Sequence, residues 1–371
     1  MPVVVRISKA AKKSAQNSAA EIVSTFNKAQ DRLVLQASDM SLETVAAMVE
    51  GASIDTQTAY QRRERWTAKK QSALIESFLL NIPIPPVYLA EESYGKYSVI
   101  DGKQRLTSIT AFMRGKIALS ELEKFKILEG AHFEDLPGDL KNALKIRPYV
   151  RVITLLKQSD PDLKYEVFER LNTGGEALEA QEIRNAAFRG PFNDLLFELS
   201  EAPFLRQQLK IEKNTEPTYL QMQDVEYVLR FFTMKETWRD FSGDYRRSMD
   251  AYMQANQKLS KEEIARFRLQ FTTSLSRCED FWGEDAFKRY ETDGVRNQFL
   301  AGMYDAQMVA ASLLGRTKVA SLRDKRKKIV RATRALFSHG QFEGWVRQAT
   351  NTKSSVLGRI DAMKAALESV D

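Results

Sequence analysis

Five consecutive residues, Asp101, Gly102, Lys103, Gln104 and Arg105, gather groups that handle phosphate. Lys103 supplies a point charge, and Arg105 a planar fork able to grip phosphate oxygens through two parallel hydrogen bonds. Gly102 lets the backbone come close to a ligand or take positive φ. Asp101 can orient a hydroxyl, a water or a magnesium ion. The same residues also suit a plain role: Asp followed by Gly is an ordinary turn, Asp101 can cap a helix, and Lys103 and Arg105 can be solvated charges. Spacing alone leaves both readings open.

The elements that must position these groups are legible on either side. Tyr97, Val99 and Ile100 form a short aromatic and β-branched run suited to a strand, and Leu106, Ile109, Thr110 and Met113 recur at helical spacing. A strand that passes through a glycine turn into a helix presents backbone amides and the positive end of the helix dipole at one spot, which suits an anion.

The stretch VIDGKQRLTSI resembles the signature of the N-terminal domain of GmrSD-type restriction endonucleases, Asp-Gly-Gln-Gln-Arg followed by Leu-Thr-Ser. Lys103 departs from the usual Gln and adds positive charge. Two further blocks carry the resemblance. Tyr60, Gln61, Arg62 and Trp66 match an aromatic followed by Gln-Arg and a later Trp. Phe168, Glu169, Leu171, Asn172, Gly174 and Gly175, followed by Glu182, Arg184 and Asn185, match a second motif in family order. The residues themselves allow two readings there. Thr173 and the glycine pair can free amides for a phosphate and Asn172 can bond a ligand, or the stretch is a helix C-cap. Arg62, Arg63 and Arg65 likewise either reach phosphates beside a stacking Tyr60 or Trp66, or are solvated while Trp66 anchors the next helix.

The resemblance implies a ParB/sulfiredoxin-like α/β domain that binds a nucleoside triphosphate with Mg2+. On it, Asp101 and Arg105 are the catalytic pair, and Gly102, Lys103, Gln104, Gln61, Arg62, Asn172, Thr173, Gly174 and Gly175 bind nucleotide. Sulfiredoxin chemistry itself is not expected, because its cysteine belongs in the phosphate motif and the one cysteine is Cys278.

Composition narrows the setting. The 371 residues, 43% of them hydrophobic, are enough for two domains with their own cores. No run of about 18 apolar residues occurs and the N-terminal stretch has no signal-peptide apolar core, so no membrane span and a cytoplasmic location are expected. One cysteine and two histidines, His132 and His339, make a zinc site or a His-based nuclease centre unexpected, so DNA cleavage in such a system is expected from a partner in trans.

The formal net charge of +7 is concentrated: residues 301–350 hold ten Lys or Arg against three Asp or Glu. Within SLRDKRKKIVRATRALF, read as one helix, Arg323, Arg326, Lys327, Lys328 and Arg331 are candidate DNA contacts through counterion release, the plain alternative being a solvated face.

Along the chain, residues 1–38 read as an N-terminal arm, 39–190 as the α/β nucleotide-binding domain and 191–371 as a helical domain, an α+β protein overall. Ser41 and Thr67 suit helix caps, Asn81–Pro86 stops a helix, Val87–Leu89 and Tyr149–Leu155 read as strands, and Asp160 with Pro161 suits a helix start. From Pro191 onward apolar residues recur at helical spacing and strand signals nearly vanish. Two functions stay open: an NTPase subunit of a modification-dependent restriction or phage-defence system, and a non-catalytic DNA-binding module gated by nucleotide.

Overall fold

The computed structural model describes residues 21–28, 30–56, 66–160, 166–167, 170–171, 179–291, 294–348 and 350–371. These fall into two compact units, one ending at residue 171 and one starting at residue 179.

The first unit comprises β1 (Leu35–Ser41), α1 (Leu42–Glu50), β2 (Ile54–Asp55), α2 (Ala68–Leu79), β3 (Val87–Ser93), β4 (Lys96–Asp101), α3 (Lys103–Met113), α4 (Gly138–Ile146) and β5 (Tyr149–Leu155). Its sheet runs β1-β5-β3-β4-β2, with β1/β5 and β3/β4 antiparallel and β5/β3 and β4/β2 parallel. The inner strands carry the apolar runs: Val87, Leu89, Val99, Val150 and Val152 are buried, as central strands require. Against them pack Leu42, Val45 and Ala46 of α1 and Leu106, Ile109 and Phe112 of α3, whose apolar positions share one helical face. Phe112 meets Phe133 edge to face at 5.7 Å, closing the core beneath the loop that follows α3.

The caps fall where residue types demand them. Ser41 Oγ accepts from the Thr44 amide at 3.2 Å and Thr67 Oγ1 from the Lys70 amide at 3.4 Å. At its far end α3 is tied to α1 by Arg114, which donates to Glu43 at 2.8 Å and to Glu50 at 2.7 Å. The loop after α3 is held by Glu76 of α2, whose carboxylate accepts from the backbone amides of Glu123, Lys124 and Phe125 at 3.1, 2.7 and 2.9 Å. Those amides, the Phe125 bond foremost, hold the Glu76 carboxyl below its ordinary value against the opposing effect of burial.

One expectation changes here. Part of the arm expected over residues 1–38 belongs to the sheet, because Leu35–Ser41 is β1 and pairs along its length with β5. LQASDMS shows no clean alternation since β1 is an edge strand with mostly exposed side chains; its backbone bonds and the Asp39–Arg151 pair at 2.6 Å hold it there. Asp160 Oδ2 accepts from Arg32 at 2.7 Å, and the helix start expected at Asp160 and Pro161 runs into residues outside those described.

The second unit comprises α5 (Ala180–Ala187), α6 (Pro191–Ser200), α7 (Pro203–Gln208), α8 (Pro217–Leu220), α9 (Gln223–Thr237), α10 (Tyr245–Asn256), α11 (Lys261–Trp282), β6 (Lys288–Glu291), β7 (Gly294–Phe299), α12 (Ala301–Leu313), α13 (Arg316–Leu322), α14 (Arg326–Leu336), α15 (Gln341–Arg347) and α16 (Lys353–Glu368). The α+β order is as expected, with one antiparallel hairpin, β6–β7, added to the helices. The unit starts ahead of residue 190 because α5 is buried among its helices: Arg184, 1% exposed, pairs with Glu226 of α9 at 2.8 Å and Asp250 of α10 at 2.6 Å. At its centre the buried Asp305 of α12 takes both Arg230 of α9 and Arg359 of α16, at 2.7 and 2.6 Å, and accepts from Tyr245 at 2.8 Å. Burial opposes ionisation of Asp305, but the two guanidinium groups outweigh it and keep its carboxyl below the ordinary value.

Candidate anion site at the end of strand β4

Asp101 ends β4, Gly102 turns the chain, and Lys103 opens α3. Gly102 sits in left-handed geometry at φ 97°, ψ 14°, and as the N-cap residue it has no side chain to offer the helix. A glycine is required on two grounds. The positive φ strains any residue with a Cβ, and a Cβ here would come within 2.8 Å of Val87 Cγ2 and 3.1 and 3.2 Å of Arg105 Nη2 and Nε. The Arg105 guanidinium therefore lies folded against the glycine backbone at the mouth of the helix.

Its bonds fix it there. Arg105 Nη2 donates to Asp101 Oδ2 at 2.5 Å and to the Pro86 carbonyl at 3.2 Å, so one side chain ties the end of β4, the residue before β3 and the first turn of α3. Arg105 Nε is buried without an acceptor, and Gln104, 6% exposed, leaves its Oε1 buried without a donor. Among the described residues one turn thus holds an unmatched donor and an unmatched acceptor beside a helix N-terminus with glycine at its cap position, where dipole and amides favour an anion. Ser108 Oγ donates to the Gln104 carbonyl at 2.8 Å, and Leu106 closes the first helical bond to the Gly102 carbonyl at 2.9 Å.

The Pro86 carbonyl is the partner that residue patterns did not reveal. From its residue types NIPIPP is only a helix stop. It also delivers a carbonyl to the arginine nineteen residues on. No local signal marks that, since it depends on β3 and β4 lying side by side.

Asp101, Gly102, Lys103, Gln104 and Arg105 therefore stand together. Gln61, Arg62, Asn172, Thr173, Gly174 and Gly175 lie outside the described residues. Trp66 packs against the sheet core, in keeping with an anchoring role. Cys278 is fully buried in α11 and its thiol is pushed well up by burial, which keeps it protonated. Among the described residues no group of three His, Cys, Asp or Glu is placed to hold a metal ion, and no helix is long and apolar enough to cross a membrane.

The basic stretch in the second unit is two helices. The chain breaks at Asp324, φ 62°, between α13 and α14, because α13 ends at Leu322 and a left-handed residue cannot continue a helix. Arg326 donates to the Glu279 and Asp280 carbonyls, each at 3.0 Å, and so caps the C-terminal end of α11 where a cation is favoured. Lys328 donates to an Asp371 oxygen at 2.7 Å. Arg323, Lys327 and Arg331 are exposed and make no side-chain hydrogen bond or ion pair among the described residues.

Residues 45–189 match the family model described as GmrSD restriction endonuclease, N-terminal domain. This segment belongs to that family. The GmrSD-type segment runs from within α1 to the end of α5 and takes in the whole Asp101–Arg105 turn. No match was found among curated proteins or solved structures.

Proposed function

We propose that the chain is a nucleotide-binding subunit of a modification-dependent restriction or phage-defence system, hydrolysing a nucleoside triphosphate at the Asp101–Arg105 turn and coupling it to DNA or a partner. The observation that carries the reading is the start of α3, which opens on a left-handed glycine, holds Lys103 and Arg105 in its first turn, and lies inside the GmrSD-type segment. Phosphoryl chemistry needs positioning and charge neutralisation more than covalent help, and this turn supplies both. Amides and cations balance the phosphate charge, while Asp101 orients the attacking water and takes its proton. Mg2+ keeps several waters and is held through one or two carboxylates plus phosphate oxygens, so a single carboxylate at the turn suits an ion that arrives with the nucleotide. On this reading DNA is met by the uncompensated cations of α14, and cleavage belongs to a partner in trans.

A second reading, a binding module gated by nucleotide without turnover, draws on two observations. Asp101 and Arg105 are engaged with each other at 2.5 Å, and Lys103 stands where the resemblance has Gln. Phosphate release from the four ribonucleoside triphosphates with Mg2+, with and without DNA, separates the two. The wild type is expected to turn over at least one of them and Arg105→Ala none, with thermal melts of both to confirm folding. Binding without release selects the gated module, and absence of both binding and release overturns the nucleotide reading.

A further inference from the structure

Arg105 stands in the turn with its charge already answered. Nη2 is shared between the Asp101 carboxylate and the Pro86 carbonyl, the side chain is 14% exposed, and its Nε has no acceptor. Asp101 is held far less firmly. Its side chain is 38% exposed, and its carboxylate makes no other hydrogen bond among the described residues. A partly exposed pair touching through one nitrogen is a weak tie, whereas a phosphate on a guanidinium is charge-assisted and two-pronged. The weaker anion sits where the stronger one is expected.

We propose that Asp101 is a positioning residue that occupies Arg105 in place of phosphate. Its carboxylate keeps the guanidinium folded on Gly102 until an incoming phosphate takes over Nη2 and supplies the acceptor that Nε lacks. The displaced carboxylate is then free for the water or metal that arrives with the ligand. The one group that would otherwise repel the nucleotide and compete for Arg105 is thereby displaced as the phosphate binds. The Pro86 carbonyl keeps the guanidinium in register throughout, so the exchange moves Asp101 and leaves the arginine in place. This rests on the nucleotide reading of the same turn.

The test is the affinity of the full chain for inorganic triphosphate in EDTA, by titration calorimetry, at low and high salt. Asp101→Asn keeps an oxygen that can accept from Nη2 but removes the competing charge. It is expected to bind about five- to tenfold tighter than the wild type at low salt, which corresponds to about 1–1.4 kcal/mol. The gain is expected to shrink as salt screens the carboxylate, a response that a purely structural role does not give. Arg105→Ala is expected not to bind. If Asp101→Asn fails to melt cooperatively, Asp101→Ser serves in its place. Equal or weaker binding by a folded Asp101 variant, with the wild type binding, overturns the proposal and leaves the nucleotide reading intact. If neither wild type nor variant binds triphosphate, with or without Mg2+, the nucleotide reading fails and this inference with it.

Discussion

Gly102 is the residue on which the turn depends, because its backbone angle and the room above its Cα are both used. Substituting Ala puts a methyl 2.8 Å from Val87 Cγ2 and crowds Arg105 off the helix mouth. Left-handed strain together with overpacking is expected to cost Gly102→Ala about 2 kcal/mol, read as a lowered midpoint in urea. If Arg105 depends on that space, the same variant also loses triphosphate affinity. A variant with full stability and full affinity would show that the guanidinium does not need the glycine. Residue type alone marked the glycine as permissive. That it is required follows from Val87 and Arg105, which reach it from a neighbouring strand and the next helical turn.

The helices and strands around the site are fixed by polar ties as much as by their apolar faces. Glu76 shows this: it sits on the inner side of α2, 6% exposed, and accepts from three successive amides of the loop after α3. Its carboxyl is held below the ordinary value of 4.5, chiefly by those amides. A depressed carboxyl contributes stability that is present above its unfolded pKa and is lost as pH falls through its folded one. The wild type is therefore expected to lose this stability only below about pH 4.5. Glu76→Gln, which keeps one acceptor and loses the charge, is expected to cost about 2 kcal/mol at neutral pH, with the difference from wild type closing on acidification. Urea midpoints measured from pH 7 to pH 3 check this. A gap that stays constant with pH would assign the loop's stability elsewhere.

At the scale of the molecule, charge is unevenly spread, and the surplus lies in residues 301–350, outside the GmrSD-type segment. The fold divides those cations by use. Arg326 and Lys328 are engaged with main-chain oxygens, whereas Lys327 and Arg331, one turn apart on α14, are exposed. Lys327→Glu with Arg331→Glu therefore tests polyanion binding without disturbing the cap of α11. This pair is expected to weaken DNA retention across sequences and to lower the slope of log affinity against log salt by roughly two or more. Retention with an unchanged slope would move the DNA contact off α14.

What the amino-acid sequence determined by itself is local. Alternation in YVRVITL, helical spacing from Leu106 to Met113, caps at Ser41 and Thr67, and the Asp-Gly turn all follow from interactions among near neighbours, and each is found where the residues indicate. The α+β order follows from the same periodicities, and the turn's family identity from a motif written in consecutive residues. Only the tertiary structure decided which partners those residues keep. β1 carries no strand signal of its own and becomes a strand because β5, more than a hundred residues later, supplies the hydrogen bonds. α13 and α14 are separate helices because the chain turns left-handed at Asp324, and Arg326 leaves the candidate DNA surface to cap a helix that ended more than forty residues earlier. Arg105 is one of several solvated or phosphate-binding possibilities in the sequence, and becomes an arginine braced between Asp101 and Pro86 once two strands lie side by side. Near-neighbour sterics and periodicity can be read along a chain. Hydrogen-bond partners brought together by packing cannot, since nothing in either partner's local sequence names the other.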